Sequence, residues 1–290
     1  MITGLDHIAL VANDLDVAVD GYRRLLGREP NWIGRADGVR RAWFQLPNMA
    51  LDIIAPEGEG AFADNIRERL AAHGEGLWAI AFAVDDLEAT HQLMSRRGLK
   101  ATKPGTIRTT NDAGQHRYWT TSSLDPAGAA GLQLLLVGPA PDGAAWPLSP
   151  ATNGEGSAIS ELDHVVIHTA NCDRALAIYG ARLGLDLRLD RSNPDWGVRQ
   201  LFFRCGGAVV EFGASLKTPV SDAPDRSGGL AWRATDNMAT QARIAAAGFD
   251  VSEVRKGRKP GTTIFTVRAG MVAAPAVVMQ QNVETAGADQ

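Results

Sequence analysis

Cysteine is scarce in this sequence, and long apolar segments are absent. The 290 residues include two cysteines, Cys172 and Cys205, whose spacing matches neither a disulfide framework nor a metal or redox motif. Such cysteine usage is typical of a reducing compartment, so we expect a cytoplasmic protein. No run of residues approaches the roughly 20 apolar residues that span a bilayer. The N-terminal stretch "MITGLDHIALV" has no basic region before its apolar residues, which argues against a signal peptide.

An excess of charge of one sign is also missing. The chain has 29 basic and 33 acidic residues, a net charge of −4, which gives no reason to expect nucleic acid or an anionic membrane as partner. Neither a Gly-rich phosphate loop nor a Gly-x-Ser-x-Gly nucleophile elbow occurs. The composition, 45% hydrophobic and 21% charged, is that of an ordinary globular protein with a sizeable core.

What the sequence does contain is an internal repeat. The stretch "GLDHIALVAN" begins at Gly4, and "ELDHVVIHTA" begins at Glu161. A shift of 157 residues superposes the Leu-Asp-His of 5–7 on that of 162–164, and also Tyr22 on Tyr179. A repeat of this kind indicates that one structural unit occurs twice.

Each copy predicts a strand, a helix and three further strands. An apolar strand is followed by polar residues that can cap a helix, and the helix carries apolar residues at helical spacing. Gly27 and Gly184 stand where a helix ends in a left-handed residue. A second unit of the same pattern follows each copy, with Asp86 and Asp236 at the helix starts.

We therefore predict an α+β fold of four βαβββ modules, paired into two cupped mixed-sheet domains. The first domain is expected at 1–137 and the second at 161–282. Residues 138–160 are rich in Gly, Pro, Ser and Ala and are predicted to form a linker. Residues 283–290 are predicted to be a frayed tail.

This pattern resembles the vicinal oxygen chelate superfamily, which includes glyoxalase I, extradiol dioxygenases, epimerases and bleomycin-resistance proteins. The resemblance covers nearly the whole chain outside the linker and tail, and its motifs specify the fold more closely than the chemistry. It implies that each domain forms a cup around one divalent metal ion. The ligands would come from the first and last strands of each module, and oxygen and imidazole ligands suit Fe, Mn, Zn or Ni.

Residue by residue, the resemblance assigns two metal ligands to each cup: His7 and Asp52 in the first, His164 and Glu211 in the second. The remaining ligand positions fall on residues that cannot bind a metal, namely Ala79, Leu135, Gly229 and approximately Met279. Three or four protein ligands are usual for a tightly held catalytic metal. Two cofactor states therefore stay open: one weakly held divalent metal completed by the substrate's own oxygens, or no metal.

Five further residues are candidates for ligand contacts. His168 shares a strand face with His164, and Gln133 has the parity of Leu135. His116 would complete the first cup if its side of the strand faces inward. Trp32 and Trp196 stand in predicted loops at the cup mouths, where either packing of the loop or contact with a planar ligand explains them.

Two functions of different class follow. The first is an enzyme of the superfamily, a lyase, isomerase or dioxygenase acting on a small oxygenated substrate, with aromatic compounds among the candidates. His164 and Glu211 would be catalytic, as metal ligands or as a base and the residue that orients it. The second is a metal-free protein that sequesters an aromatic or amphipathic molecule, similar to bleomycin-resistance proteins. Both functions imply a small-molecule partner, and a homodimer is left open.

Overall fold

The computed structural model describes residues 1–140, 145–269 and 276–281. In this part of the chain the secondary structure forms two sheet-dominated domains, one in each half of the sequence. The predicted α+β class with two cupped domains is confirmed. The predicted tail, 283–290, lies outside the described residues. None of the described helices is long and apolar enough to cross a membrane.

The first domain is a closed barrel of eight strands in the order β1-β4-β3-β2-β6-β7-β8-β5. The strands are β1 (Ile2–Val11), β2 (Trp32–Ala36), β3 (Val39–Gln45), β4 (Ala50–Pro56), β5 (Gly76–Val84), β6 (Gly105–Thr110), β7 (His116–Leu124) and β8 (Gln133–Val137). The two modules join at two seams. At one seam β1 pairs with β5, and at the other Arg35 of β2 pairs with Thr110 of β6.

Three helices accompany the barrel: α1 (Leu15–Leu26), α2 (Ala61–His73) and α3 (Leu87–Arg96). The side chains of Asp14 and Asp86 cap α1 and α3, and Asp86 stands at a predicted helix start. Helix α2, which the repeat does not predict, buries Ala63 and Ile66 against residues of the barrel wall, namely Ala9, Val11, Val39, Ile54 and Ala79. This helix therefore fills one end of the barrel.

The second domain is an open nine-stranded sheet with β10 at one edge and β14 and β15 at the other. Its strands are β9 (Ile159–His168), β10 (Asp186–Asn193), β11 (Val198–Cys205), β12 (Ala208–Ser215), β13 (Arg226–Ala234), β14 (Asp250–Val251), β15 (Arg255–Lys256), β16 (Thr262–Ala269) and β17 (Ala276–Gln281). Helix α4 (Cys172–Ala175) continues as a π-helical stretch over Leu176–Arg182, and α5 (Asn237–Ala246) follows β13. Among the described residues, no strand pairing joins the two edges.

The two domains are packed against each other. One buried hydrophobic cluster contains residues of both. Arg28, which is buried, donates from Nε to the Ile159 carbonyl at 2.7 Å and pairs with Glu155. Asn48 hydrogen-bonds both the N–H and the carbonyl of Leu162. Because Leu162 precedes Asp163 and His164 in β9, the first domain holds the backbone next to the second cup.

Candidate functional site

The two predicted carboxylate positions are equivalent in the structure. Asp52 of β4 lies opposite Ala9 of β1, and Glu211 of β12 lies opposite Val166 of β9. Ala9 and Val166 are related by the same shift of 157 residues that relates His7 to His164. Each cup therefore presents one histidine and one carboxylate from matching strands, and the neighbours of each pair decide its chemistry.

In the first cup the carboxylate is neutralised by an arginine. Asp52 is fully buried, and both of its oxygens accept hydrogen bonds from Arg41, with Nε 3.1 Å from Oδ1. The Arg41 guanidinium also lies 5.0 Å from the ring centroid of Trp119. The His7 ring is 4.9 Å from that of Trp43. A carboxylate already paired with a guanidinium is a poor ligand for a divalent cation, so this donor set does not fit the implied metal.

Aromatic side chains fill much of the rest of the first barrel. Trp32, Trp43 and Trp119 are buried together, and Trp146, from the segment predicted as a linker, packs on them. Arg117 lies over Trp32 and Trp146, at 4.4 and 3.8 Å from the ring centroids, and burial lowers its pKa to about 10. A cavity of about 260 Å³ remains, lined by Trp43, Trp119, Trp146 and neighbouring residues.

Three sequence candidates of the first domain have partners within the protein. Trp32 begins β2 instead of lying in a loop, is buried, and donates from Nε1 to Thr109 Oγ1 at 3.1 Å. The side-chain amide of Gln133 donates to Ser123 Oγ at 2.8 Å. His116 is exposed and hydrogen-bonds Thr110.

The condition under which His116 would complete the first cup, that its face of β7 points inward, is not met. The opposite face of this strand, which carries Arg117 and Trp119, is turned toward the buried tryptophans. Strand alternation places these residues and His116 on different faces. His116 therefore does not complete the first cup.

The second cup brings His164 and Glu211 into direct contact. Nε2 of His164 lies 3.2 Å from Oε2 of Glu211, and the side chains are 19% and 12% exposed. On the other carboxylate oxygen, Glu211 accepts a hydrogen bond of 2.7 Å from the side-chain amide of Gln200. The pair is thus sheltered but reachable from solvent.

Asp163 and Arg233 orient the histidine. Nδ1 of His164 lies 2.8 Å from Asp163 Oδ2, and Arg233 donates to Asp163 at 2.6 Å and to Glu161 at 2.7 Å. Burial tends to raise the pKa of Asp163, but the hydrogen bonds from His164 and Arg233 outweigh this effect and lower the pKa below its ordinary value. Asp163 therefore stays ionised and holds the imidazole ring in one orientation.

Both ring nitrogens of His164 face carboxylate oxygens. A bare nitrogen lone pair opposite a carboxylate oxygen would be repulsive, so each contact needs a proton. With Nδ1–H donating to Asp163, a hydrogen bond between Nε2 and Glu211 requires a second proton in that contact. This arrangement can deliver a proton to a substrate or accept one from it.

The sheet face around the pair carries both apolar and polar residues, and Arg204 lies on it opposite Val209. Strand register places Val166, Phe202 and Val209 on the same sheet face as His164 and Glu211. His168, at the end of β9, shares this face and is exposed. Trp196 lies in the turn between β10 and β11 and is 43% exposed. Of the predicted ligand-contact residues of the second domain, His168 thus shares the sheet face of the pair, and Trp196 lies in the turn that follows β10.

The second cup supplies few metal ligands. Strand register identifies Val277 as the residue equivalent to Leu135. Leu135 pairs with Ala81 in the first domain, and Val277 pairs with Ala231, the equivalent of Ala81, in the second. This corrects the assignment to Met279, and Val277 cannot bind a metal either. Within the residues that the structure describes, no group of three or more His, Cys, Asp or Glu could hold a metal ion. The donors present do not fit a tightly held divalent metal.

Comparison with known proteins defines the family. The sequence profile of the Glyoxalase/Bleomycin resistance protein/Dioxygenase superfamily matches residues 6–118 and 163–266, one segment in each domain and together most of the chain. The chain belongs to this superfamily, and the resemblance inferred from the repeat is confirmed.

Individual relatives differ in activity. An ethylmalonyl-CoA/methylmalonyl-CoA epimerase from Cereibacter sphaeroides is 29% identical over 110 residues, which cover 36% of this chain and 78% of the epimerase. A variant of 4-hydroxymandelate synthase from Streptomyces coelicolor superposes with a TM-score of 0.69 at 14% identity, covering 97% of this chain and 94% of the synthase. The Mn(II)-bound glyoxalase from Novosphingobium aromaticivorans gives 0.65 at 14% identity, covering 97% and 83%. At such identities the two structures show a shared fold, and the chemistry has to be argued from the site.

Proposed function

We propose that this protein is an enzyme whose second cup performs acid–base chemistry on a small oxygenated substrate. One comparison between the domains carries the proposal. Arg41 stands two residues before the strand partner of Asp52, and Gln200 stands two residues before the strand partner of Glu211. In the first cup the charge of Asp52 is cancelled by this arginine, whereas in the second cup the equivalent residue is a neutral amide. Among the described residues Glu211 therefore has no arginine partner, and its side chain contacts the Gln200 amide and the His164 ring instead.

The reaction class we propose is proton transfer at a carbon beside a carbonyl group. Glu211 would remove the proton from that carbon, and the protonated His164 would donate a hydrogen bond to the developing enolate oxygen. Return of the proton to the same or the opposite face restores the carbonyl compound, so atoms and charge balance without a further reactant. The apolar side chains of Val166, Phe202 and Val209 would strengthen these interactions by limiting water. The epimerase named above supports this class, since epimerisation requires such a transfer.

The proposal is tested by hydrogen exchange, which detects the proton transfer even when substrate and product are the same compound. The purified protein is incubated in D₂O with separate small carbonyl compounds, and deuterium incorporation is followed by NMR. We expect exchange to be catalysed for at least one compound. Glu211→Gln and His164→Gln should each reduce the rate about 10²-fold or more. His7→Gln, the equivalent change in the first cup, is the matched control and should retain the rate. Loss of exchange in all three variants alike would contradict the assignment of the second cup.

The second candidate function is small-molecule binding without catalysis. The small number of potential metal ligands in each cup favours it over standard metal-dependent glyoxalase chemistry. In that case tryptophan fluorescence would detect ligands, while none of them would exchange protons faster than in the absence of protein. Binding that is unchanged in Glu211→Gln, without exchange in the unmodified protein, would favour this candidate.

A further inference from the structure

Two arginines converge on Trp196 at the rim of the second cup. The Arg258 guanidinium lies 3.9 Å from the Trp196 ring centroid, and that of Arg191 lies 5.6 Å from it. In the described part of the chain neither arginine forms an ion pair, and Asp195, the neighbour of Trp196, pairs with neither. Arg199 and Arg233, by contrast, each hold two carboxylates.

The two arginines come from opposite edges of the open sheet. Arg191 belongs to the edge strand β10, and Arg258 belongs to the turn between β15 and β16. In the first domain the corresponding gap is closed by strand pairing between Arg35 and Thr110. Here the gap is spanned by two cations over one indole ring. Their mutual repulsion is unfavourable, and an anion bound between them would offset it.

We propose that Arg191, Arg258 and Trp196 form a subsite for the carboxylate of a small organic acid, and that this acid is the substrate of the His164–Glu211 pair. Guanidinium groups recognise carboxylates through paired, charge-assisted hydrogen bonds. The exposed indole ring supplies a flat apolar surface beside them. This inference rests on the proposed function for the identity of the substrate, but the anion subsite itself has its own test.

A hydrogen-bonded path joins the subsite to the reacting pair. Arg191 Nη2 donates to Gln200 Oε1 at 2.9 Å, and the amide of Gln200 donates to Glu211 Oε1 at 2.7 Å. One side-chain amide therefore separates the guanidinium from the proposed base. A carboxylate held at Arg191 would place the carbons next to it close to Glu211 and His164, which selects compact acids over long ones.

The test is a binding titration with benzoate and acetate, using benzamide as the uncharged counterpart of benzoate. Calorimetry and tryptophan fluorescence are measured for the unmodified protein, Arg191→Gln and Arg258→Gln. Arg188→Gln is the matched control, because Arg188 lies on the same strand but pairs with Asp186. We expect at least one of the two acids to bind at millimolar concentration, and benzamide to bind about 10-fold more weakly than benzoate where benzoate binds. Each of the first two substitutions should weaken the acid about 10-fold, and Arg188→Gln should leave it unchanged.

Several results would overturn the inference. They are the absence of binding by both acids, equal binding of benzoate and benzamide, or affinities that do not change in Arg191→Gln and Arg258→Gln. The outcome is separable from that of the proposed function. Arginine-dependent acid binding without catalysed exchange for any acid would leave the anion subsite standing and remove the enzyme proposal. Exchange that requires Glu211 but is unaffected by both arginine substitutions would leave the enzyme proposal standing and show that the substrate is not held by these arginines.

Discussion

Arg41 and Asp52 form an ion pair enclosed in the first barrel, where the Asp52 side chain is fully buried and that of Arg41 is 8% exposed. The guanidinium and the carboxylate, either of which could bind a charged ligand, thus neutralise each other's charge. A cluster of tryptophans lies on one side of the pair, and the end of the barrel that α2 fills lies on the other. Among the described residues, the Asp52 carboxylate of the first cup is therefore already occupied by an arginine.

Removing one member of this pair should strongly destabilise the protein. Arg41→Met would leave the Asp52 carboxylate buried without a counterion, so we expect the free energy of unfolding to fall by about 3–5 kcal/mol. Denaturant titration followed by tryptophan fluorescence measures this change. Adding Asp52→Leu to Arg41→Met should restore most of the loss.

Arg35→Met provides the control for this experiment. Arg35 pairs with Glu57 on the surface, where both side chains are about half exposed, and its loss should cost less than about 1 kcal/mol. A double variant no more stable than Arg41→Met would show that packing, and not the unpaired charge, causes the destabilisation.

Placing an arginine at the equivalent position of the second cup should abolish the exchange activity proposed for that cup. Gln200→Arg would give Glu211 the same partner that Asp52 has, and the carboxylate would no longer be available as a base. We expect catalysed deuterium exchange to fall about 10²-fold or more.

Gln200→Leu removes the hydrogen bond to Glu211 but adds no charge, so its exchange rate should fall about 10-fold or less. Circular dichroism of both variants checks that the fold is retained. Equal rates in Gln200→Arg and Gln200→Leu would contradict the charge argument.

Asp163 should make stability depend on pH in the acid range. Its pKa in the folded protein is lower than the ordinary value of 3.8, so its stabilising contribution is complete above that value and is lost as the pH falls through the lower folded-state pKa. The destabilisation caused by Asp163→Asn should accordingly be constant near neutral pH and shrink below about pH 4.

Unfolding curves collected across this range test the expectation. Asp186→Asn is the control, because Asp186 forms an exposed pair with Arg188 and its replacement should change stability little at any pH. A destabilisation by Asp163→Asn that stays the same below pH 4 as above it would show that the charge of Asp163 is not its source.

Metal content should be well below one ion per chain. His164 and Glu211 supply two ligands where three or four are usual for a tight site. Elemental analysis of the freshly purified, untagged protein for Fe, Mn, Zn and Ni, before and after dialysis, tests this. One equivalent that survives dialysis and disappears in His164→Ala would contradict it, and persistence in His164→Ala with loss in His7→Ala would place the metal in the first cup.

Much of the fold was predictable because its signals are local. The Leu-Asp-His repeat, the Asp residues that cap α1, α3 and α5, and the glycines that end helices each act over a few residues. Repetition of this local pattern four times is enough to predict paired βαβββ modules. Helix α2 was not predicted, because it lies between modules and its burial depends on a barrel end that exists only after the strands have closed.

The sites were less predictable because they depend on which strands pair. Strand alternation alone predicted that His116 and Trp119 lie on opposite faces of β7, but not which face is turned inward. Likewise the sequence shows Arg41 and Gln200 as ordinary polar residues, and their equivalence follows from the register of β3 with β4 and of β11 with β12.

The sequence by itself determined the module architecture and the recurrence of Leu-Asp-His in each half, since both are repeated local patterns, and the family resemblance added one carboxylate position in each half. Only the tertiary structure decided that Asp52 is neutralised by Arg41, that Glu211 faces His164, and that Arg191 meets Arg258 over Trp196. The physical reason is that these contacts join residues from different strands, and their distances are set by strand pairing and sheet curvature instead of by chain neighbours.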